Sequence, residues 1–139
     1  MDLAGLRREY ESQGIDVGDL DPDPVEQSRK WVDDAIAAEC IEANAMTVST
    51  VDDDGSPQSR YVLLRGLDER GFWFFTNADS EKGRALAGNP HAALTFAWLQ
   101  LHRQLRVGGE RVCLAARIGQ IRVAVFAHGG RAGDVGERA

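Results

Sequence analysis

Short segments with a two-residue alternation of apolar and polar side chains follow one another closely between residues 46 and 107. Residues 46–51 alternate and are rich in β-branched side chains, which favours a strand. The turn at 53–56 makes 58–64 its hairpin partner. Further strands are predicted at 72–76, 92–98 and 103–107. Short strands at this spacing are typical of a mainly β fold with flanking helices, here a small antiparallel barrel of about six strands.

Two helices accompany these strands, and each begins at a capping residue. Asp23 followed by Pro24 starts a helix that the apolar spacing extends over 24–41. Ser80 caps a second, short helix that runs through Ala87. A short polar helix is also predicted over residues 2–13.

The composition changes after Val107. Residues 129–139 are mostly Gly, Arg and Ala, which bury little apolar surface, so we predict that 108–139 form a disordered tail. Within this tail, 112–126 has a weak apolar periodicity that suits one more strand or a helix. The predicted organisation is an N-terminal segment, 1–22, a barrel domain, 23–107, and the tail.

Charge and composition argue against several function classes. The net charge of −6 argues against general nucleic-acid binding, which needs a basic face. Residues 1–55 carry fifteen acidic and four basic side chains, a net charge of −11, so residues 56–139 carry +5 and suit an anionic ligand. Three scattered histidines predict no metal site. Two isolated cysteines, no secretory signal and no membrane-length apolar run predict a cytoplasmic protein without a membrane partner.

Basic side chains flank one predicted strand and begin the second helix. Taken singly, Arg60 and Arg65 are ordinary surface residues of a strand. Together with Lys82 they supply the convergent cations that a phosphate dianion needs, and Arg suits bidentate contacts with phosphate oxygens. Ser80 and the first amides of its helix add donors at the positive end of the helix dipole, whereas Glu81 would repel a phosphate. This pattern predicts a site for a phosphate-bearing ligand.

Aromatic residues 72–75 predict two different environments. Alternation places Phe72 and Phe74 in the barrel core and Trp73 and Phe75 on the opposite face, where a dimer contact and a ring-binding wall explain them equally well. Gln104 is predicted on an outward face, and its amide matches the pyrimidine edge of a flavin, although most strand glutamines are simply exposed. A flat ring with a phosphate tail, as in flavin mononucleotide (FMN), fits the combination.

Several of these motifs, in this order, resemble the pyridoxamine 5'-phosphate oxidase family, the FMN enzymes of vitamin B6 metabolism. Leu6-Arg7-Arg8-Glu9-Tyr10 resembles the family's N-terminal substrate segment, and 44–51 resembles its first barrel strand. Residues 59–65 are similar to its R-x-V-L-L-K strand. Phe74-Phe75-Thr76-Asn77 with Ser80-x-Lys82 is similar to its F-Y-T-N…S-R-K segment, and 98–104 to its W…L-x-R-Q strand. The resemblance covers about residues 3–107 in one register.

The resemblance implies a homodimeric FMN-binding split barrel that oxidises pyridoxamine or pyridoxine 5'-phosphate to pyridoxal 5'-phosphate with O2 as acceptor. It requires no catalytic acid or base. The FMN-binding residues that it implies are Arg60, Tyr61, Val62, Leu63, Leu64, Arg65, Phe75, Thr76, Lys82 and Gln104. The substrate-binding residues that it implies, in part from a segment 1–22 that closes over the substrate, are Arg7, Arg8, Glu9, Tyr10 and Arg65.

The chain departs from the family pattern in three places. Arg65 stands where the family has a lysine, and Glu81 where it has an arginine that helps to bind the FMN phosphate. The family's later segments have no recognisable counterpart after Val107, which predicts a truncated member with an out-of-frame tail. Two alternatives to the oxidase stay open. One is a non-catalytic FMN-binding or dimerisation module or an inactive fragment; the other is a flavin or deazaflavin reductase, which would not need residues 7–10.

Overall fold

The computed structural model describes residues 1, 15–69, 71–117 and 120–127, and their side-chain surroundings up to Glu110. Its helices are α1, Pro24–Ala37, and α2, Glu81–Gly88, with short 3-10 helices at Val17–Asp19 and Leu99–Leu101. Its strands are β1, Ala45–Val51; β2, Pro57–Leu63; β3, Gly66–Asp68; β4, Gly71–Asn77; β5, His91–Trp98; β6, Arg103–Arg117; and β7, Gln120–Ala127.

Both helices begin at their predicted capping residues. The Asp23 carboxylate accepts a hydrogen bond from the backbone N–H of Val25 at 2.8 Å, and Pro24 occupies the first helical position. The Ser80 hydroxyl accepts one from the backbone N–H of Gly83 at 3.2 Å. Each cap satisfies a backbone donor that has no partner within its helix, so the chain turns into a helix at these points.

Helix α1 ends at Ala37 rather than at the predicted Ile41. Glu39 adopts a left-handed conformation with φ of 52°, and the N–H of Cys40 returns to the carbonyl of Ala35 at 3.0 Å. This is the Schellman arrangement, in which a left-handed residue lets the chain close the last turn of a helix.

All seven strands belong to one antiparallel sheet with the order β2-β1-β5-β6-β7-β4-β3. The mainly β fold with flanking helices is confirmed, with seven strands instead of about six. Strands β2 and β3 form the edges, and within the described residues they do not pair with each other, so hydrogen bonding does not close the barrel.

Leu64 and Arg65 connect the two edges of the sheet. The N–H of Leu64 donates to the carbonyl of Asn44, next to β1, at 2.8 Å, and the Asn44 side-chain amide donates to the Leu64 carbonyl at 3.1 Å. The N–H of Arg65 donates to the carbonyl of Trp73 in β4 at 2.9 Å. Because one of these consecutive amides bonds next to β1 and the other bonds to β4, the two ends of the sheet lie close together and the sheet curves into a split barrel.

The core forms where the predicted alternation places it. The largest fully buried side chains are Phe74, Phe96, Met46, Leu86, Leu94, Val48 and Thr50. Phe72 and Phe74 are buried, whereas Trp73 is half-buried and Phe75 is 47% exposed, which confirms their predicted faces. Phe96 stacks on Trp98 with ring centroids 5.4 Å apart. Leu86 extends the core to α2, so this helix is held against the barrel by burial of apolar surface.

The prediction of a disordered tail is wrong for residues 108–117 and 120–127, whereas the additional strand considered within 112–126 is present as β7. Strand β6 continues past Val107 to Arg117, and β7 pairs with both β6 and β4. The physical reason is that β7 supplies the backbone partners of β4, which would otherwise be an unpaired edge. The predicted helix over 2–13 and residues 128–139 lie outside the described residues.

Candidate functional site

Arg60 lies on β2 opposite Val48 of β1 and is half-buried. Its Nη1 donates to the Thr50 hydroxyl at 2.8 Å and to the carbonyls of Val48 and Gln58, each at 3.3 Å. Thr50 is 1% exposed, so the guanidinium is anchored at the edge of the core. Among the described residues, each hydrogen bond of this guanidinium is made by Nη1. The edge formed by Nε and Nη2 is therefore suited to a bidentate contact with an oxyanion.

A second group of donors lies where β4 ends and α2 begins. Thr76 is buried, and its Oγ1 lies 3.2 Å from the Ser80 hydroxyl, which donates to the Asn77 carbonyl at 2.7 Å. Lys82, in the first turn of α2, is half-buried. Helix α2 packs against both β1 and β4, the strands that carry Thr50 and Thr76. Two hydroxyls, the first amides of a helix and an ammonium group therefore share one end of the barrel.

Gly83 permits α2 to start this close to β4. A Cβ at this position would lie 2.4 Å from the carbonyl oxygen of Ala78 and 2.6 Å from that of Asn77. These are backbone atoms that cannot move without shifting the turn between strand and helix. The glycine thus fixes the position of the first turn of α2 relative to Thr76.

The predicted ligand residues of β2 are divided between two faces. Arg60 and Val62 are half-buried on the core-facing side, whereas Tyr61 is 84% and Leu63 is 42% exposed on the outer side. Alternation along a strand imposes this division. A planar ring on one face of β2 would contact alternate side chains and the backbone between them. Beyond β2, Leu64 is buried in the core and Arg65 is exposed. 

On the outer face of the sheet, Tyr61 lies in one row with Arg106, which the sequence did not predict as a site residue. Tyr61 is opposite Thr47, Thr47 is opposite Thr95, and Thr95 is opposite Arg106, so these four side chains share a face. Gln104 is exposed two residues before Arg106 on β6 and belongs to the same face. The alternation of Gln104 and Arg106 along β6 was the available signal for this neighbour.

Phe75 is exposed on β4 and makes an edge-to-face contact with Trp73, their ring centroids 5.8 Å apart. The structure thus pairs the two outward aromatic residues with each other. The predicted substrate residues Arg7, Arg8, Glu9 and Tyr10 lie outside the described residues.

Glu81 lines an acidic cavity of about 390 Å³ between α2 and the β1–β2 turn. The cavity is also lined by Asp52, Asp53, Asp54, Arg84 and Ala85. The pKa of Asp54 is lowered, chiefly because the backbone N–H of Ser56 donates to its carboxylate at 2.9 Å. Four carboxylates and one guanidinium line this cavity, so its electrostatic potential is negative and disfavours a bound phosphate.

No group of three or more His, Cys, Asp or Glu side chains in the part of the chain that is described is arranged to hold a metal ion. Neither described helix combines the length and the apolar character needed to cross a membrane.

Thr50 is a second neighbour of the site, besides Arg106, that the sequence did not predict. It follows Met46 and Val48 at the core-facing positions of β1. A hydroxyl at a position where alternation demands an apolar side chain was the signal, because buried polar groups need a partner.

Comparisons with known proteins match most of this sequence. The sequence model of the family described as Pyridoxamine 5'-phosphate oxidase matches residues 32–119. Pyridoxine/pyridoxamine 5'-phosphate oxidase 1 from Ralstonia nicotianae is 55% identical over 107 residues, which are 77% of this chain and 50% of that protein. The chain thus spans about half the length of the curated relatives it matches.

Solved structures share the fold. PhzG from Burkholderia lata 383, crystallised with tetrahydrophenazine-1-carboxylic acid, has a TM-score of 0.68 and 28% identity, over 70% of this chain and 48% of that one. A pyridoxamine 5'-phosphate oxidase-related, FMN-binding protein from Nostoc punctiforme PCC 73102 has a TM-score of 0.60 over 70% of this chain and 51% of that one. At 19% identity, this similarity shows the fold alone. Since the family match covers more than half of the sequence, this chain belongs to the pyridoxamine 5'-phosphate oxidase family.

Proposed function

We propose that the protein binds FMN and oxidises pyridoxamine or pyridoxine 5'-phosphate to pyridoxal 5'-phosphate, with O2 as the electron acceptor. Membership of the family supports the reaction, and the relative from Ralstonia nicotianae is named as such an oxidase. The observation that carries the cofactor assignment is that Arg60 is anchored to the described residues through Nη1, so that its Nε–Nη2 edge suits a phosphate.

The described residues fit the phosphate end of FMN. Arg60 and Lys82 are half-buried cations, and the hydroxyls of Thr76 and Ser80 lie 3.2 Å apart at the start of a helix. Glu81 opposes the phosphate, but it is exposed and its field is screened within about 8 Å at physiological ionic strength. The half-buried cations are screened less, so the balance favours binding of a dianion.

FMN supplies the redox chemistry when bound, by accepting a hydride from the substrate. The roles proposed for this chain are binding and orientation. Tyr61, Val62, Leu63, Leu64, Phe75 and Gln104 are proposed to border the ring, and Arg65 with Arg7, Arg8, Glu9 and Tyr10 to contact the substrate. No side chain is proposed as acid or base, since placing the substrate carbon against the flavin is the main requirement.

Assembly as a homodimer is part of the proposal. The outer face carries large exposed side chains on separate strands, among them Tyr61, Leu63 and Phe75. Exposed aromatic and aliphatic side chains of this size are typical of a surface that a second copy covers. 

A second candidate function is an FMN-binding or dimerisation module without turnover. The described residues favour it, because their proposed contacts are with FMN and, among them, Arg65 alone is also proposed to contact the substrate. Cofactor binding and turnover are therefore separate proposals that need separate measurements.

The test is a titration of the purified chain with FMN, followed by flavin fluorescence, and then a peroxide assay with pyridoxamine 5'-phosphate under air. Binding of FMN with peroxide formation supports the oxidase. Binding without peroxide supports the module, and failure to bind FMN overturns both. Arg60→Ala should weaken FMN binding roughly 100-fold, and Arg60→Lys, which keeps the charge but loses the bidentate edge, roughly tenfold.

A further inference from the structure

Thr50 is a hydroxyl-bearing residue within an otherwise apolar part of the core. It is 1% exposed and shares the core-facing side of β1 with Met46 and Val48, which are 1% and 0% exposed. Burial of a hydroxyl is unfavourable unless it finds a hydrogen-bond partner. Its Oγ1 finds that partner in Nη1 of Arg60, on the neighbouring strand, at 2.8 Å. 

The bond from Arg60 to Thr50 is the shortest of three that hold the same nitrogen. The carbonyls of Val48 and Gln58 accept from Nη1 at 3.3 Å each. The bond at 2.8 Å has the usual length for N–H···O, whereas 3.3 Å lies beyond the usual range, so Thr50 makes the strongest single contact that orients the guanidinium. Arg side chains have many rotamers, and a buried acceptor that binds Nη1 selects one of them without occupying the Nε–Nη2 edge.

We propose that Thr50 is a positioning residue for the phosphate of FMN, acting through Arg60. The hydroxyl occupies Nη1 and thereby directs the Nε–Nη2 edge toward the anion. This inference rests on the proposed FMN function. The ligand chemistry that depends on it is the phosphate group alone, because Thr50 is enclosed in the core and Arg60 is the group that it touches through its hydroxyl.

The experiment compares FMN with riboflavin, which has the same ring and no phosphate. Dissociation constants for both are measured by flavin fluorescence with the full chain and with Thr50→Val and Thr50→Ser. Thr50→Val keeps the shape and the β-branched character of the side chain but removes the acceptor. Thr50→Ser keeps the acceptor. Thermal unfolding of each variant shows whether it folds.

Thr50→Val should weaken FMN binding about tenfold and leave riboflavin binding within about twofold, and Thr50→Ser should restore most of the loss. In the Arg60→Ala background, Thr50→Val should have no further effect on FMN, because the group that it positions is gone. Equal losses for FMN and riboflavin, or a full Thr50→Val effect without Arg60, would show a merely structural role. If Thr50→Val does not fold, the folded Thr50→Ser variant is used instead. A loss of less than about twofold in its preference for FMN over riboflavin supports the proposal, and a larger loss overturns it.

Failure of the underlying function has a different signature. An unaltered chain that binds FMN no better than riboflavin would remove the phosphate site itself, and this inference with it. If the unaltered chain prefers FMN and Thr50→Val shows the same preference, only the role of Thr50 is contradicted.

Discussion

The Arg103 guanidinium carbon lies 4.9 Å from the centre of the Trp31 ring, so the first residue of β6 is in contact with α1. Nη1 of the same side chain donates to Oδ2 of Asp34 at 2.9 Å. Trp31 is buried, whereas the Asp34 side chain is 58% exposed. The ring contact therefore contributes more to stability than the ion pair, which water and salt screen.

Arg103→Ala should lower the free energy of unfolding by about 1 kcal/mol, mostly through the lost ring contact. Asp34→Asn should lower it by less than about 0.5 kcal/mol. Urea denaturation of both variants measures the two effects. Equal losses would show that the ion pair, and not the Trp31 contact, ties α1 to β6.

Glu39→Gly should stabilise the protein by about 1 kcal/mol, because Glu39 has φ of 52° at the end of α1 and glycine adopts this conformation without strain. The change also removes a negative charge near the C-terminus of a helix. Glu39→Ala is the matched control, since it removes the charge but keeps a Cβ. A rise in melting temperature for the alanine variant as large as for the glycine variant would contradict the backbone explanation.

Gly66→Ala should destabilise the protein by about 2 kcal/mol, since its Cβ would lie 2.1 Å from ring carbons of Trp73. The large indole would have to leave its place against β3. Gly108→Ala is the control, because a Cβ at that strand position has nothing within 4 Å. Chemical denaturation should show a near-neutral Gly108→Ala; two similar losses would point to a general intolerance of side chains in these strands.

Acid should remove stability that depends on Asp21. Its pKa is lowered from 3.8, first by the hydrogen bond from the Lys30 ammonium at 2.8 Å and then by the backbone N–H of Asp23. A carboxyl whose pKa is lower in the folded state stabilises it above the unfolded value of 3.8, and this contribution is lost as the pH falls through the folded pKa. The free energy of unfolding, measured by denaturation between about pH 5 and about pH 2, should therefore fall less steeply with decreasing pH in Asp21→Asn. An identical slope in the variant would speak against this linkage.

Glu81→Arg should strengthen FMN binding roughly tenfold, because it replaces an exposed carboxylate beside Lys82 with a cation able to contact a phosphate. Glu81→Gln, which only removes the repulsion, should give a smaller gain. Fluorescence titration at low and high salt checks both, and the gain should shrink as salt is added. Weaker binding in Glu81→Arg would place the phosphate away from the first turn of α2.

Local signals in the sequence predicted the elements whose causes are local. Asp23 and Ser80 cap their helices through contacts within three residues. The alternation of Phe72 to Phe75 predicted their faces because neighbouring side chains of a strand always diverge. The β1–β2 hairpin followed from a turn with Gly55, whose φ is 85°.

Features that depend on distant partners were missed or were predicted only in part. The three residues of β3 have no pattern of their own and are a strand only because β4 is next to them. Strand β7 is defined by its pairing with β4 and β6 despite the weak periodicity of its sequence. In the candidate site, the cations were identifiable from residue type, but the anchoring of Arg60 by Thr50 depends on the register of two strands.

Leu64 and Arg65 impose an order on how this barrel can form during synthesis. They join β2 to β3 within two residues, yet five strands lie between those edges in the sheet, and four of the five come later in the chain. A nascent chain therefore cannot complete the curvature at this link until β5, β6 and β7 have left the ribosome. Until then β1 and β4 each lack a neighbour, and the early half of the protein depends on its late half to become folded.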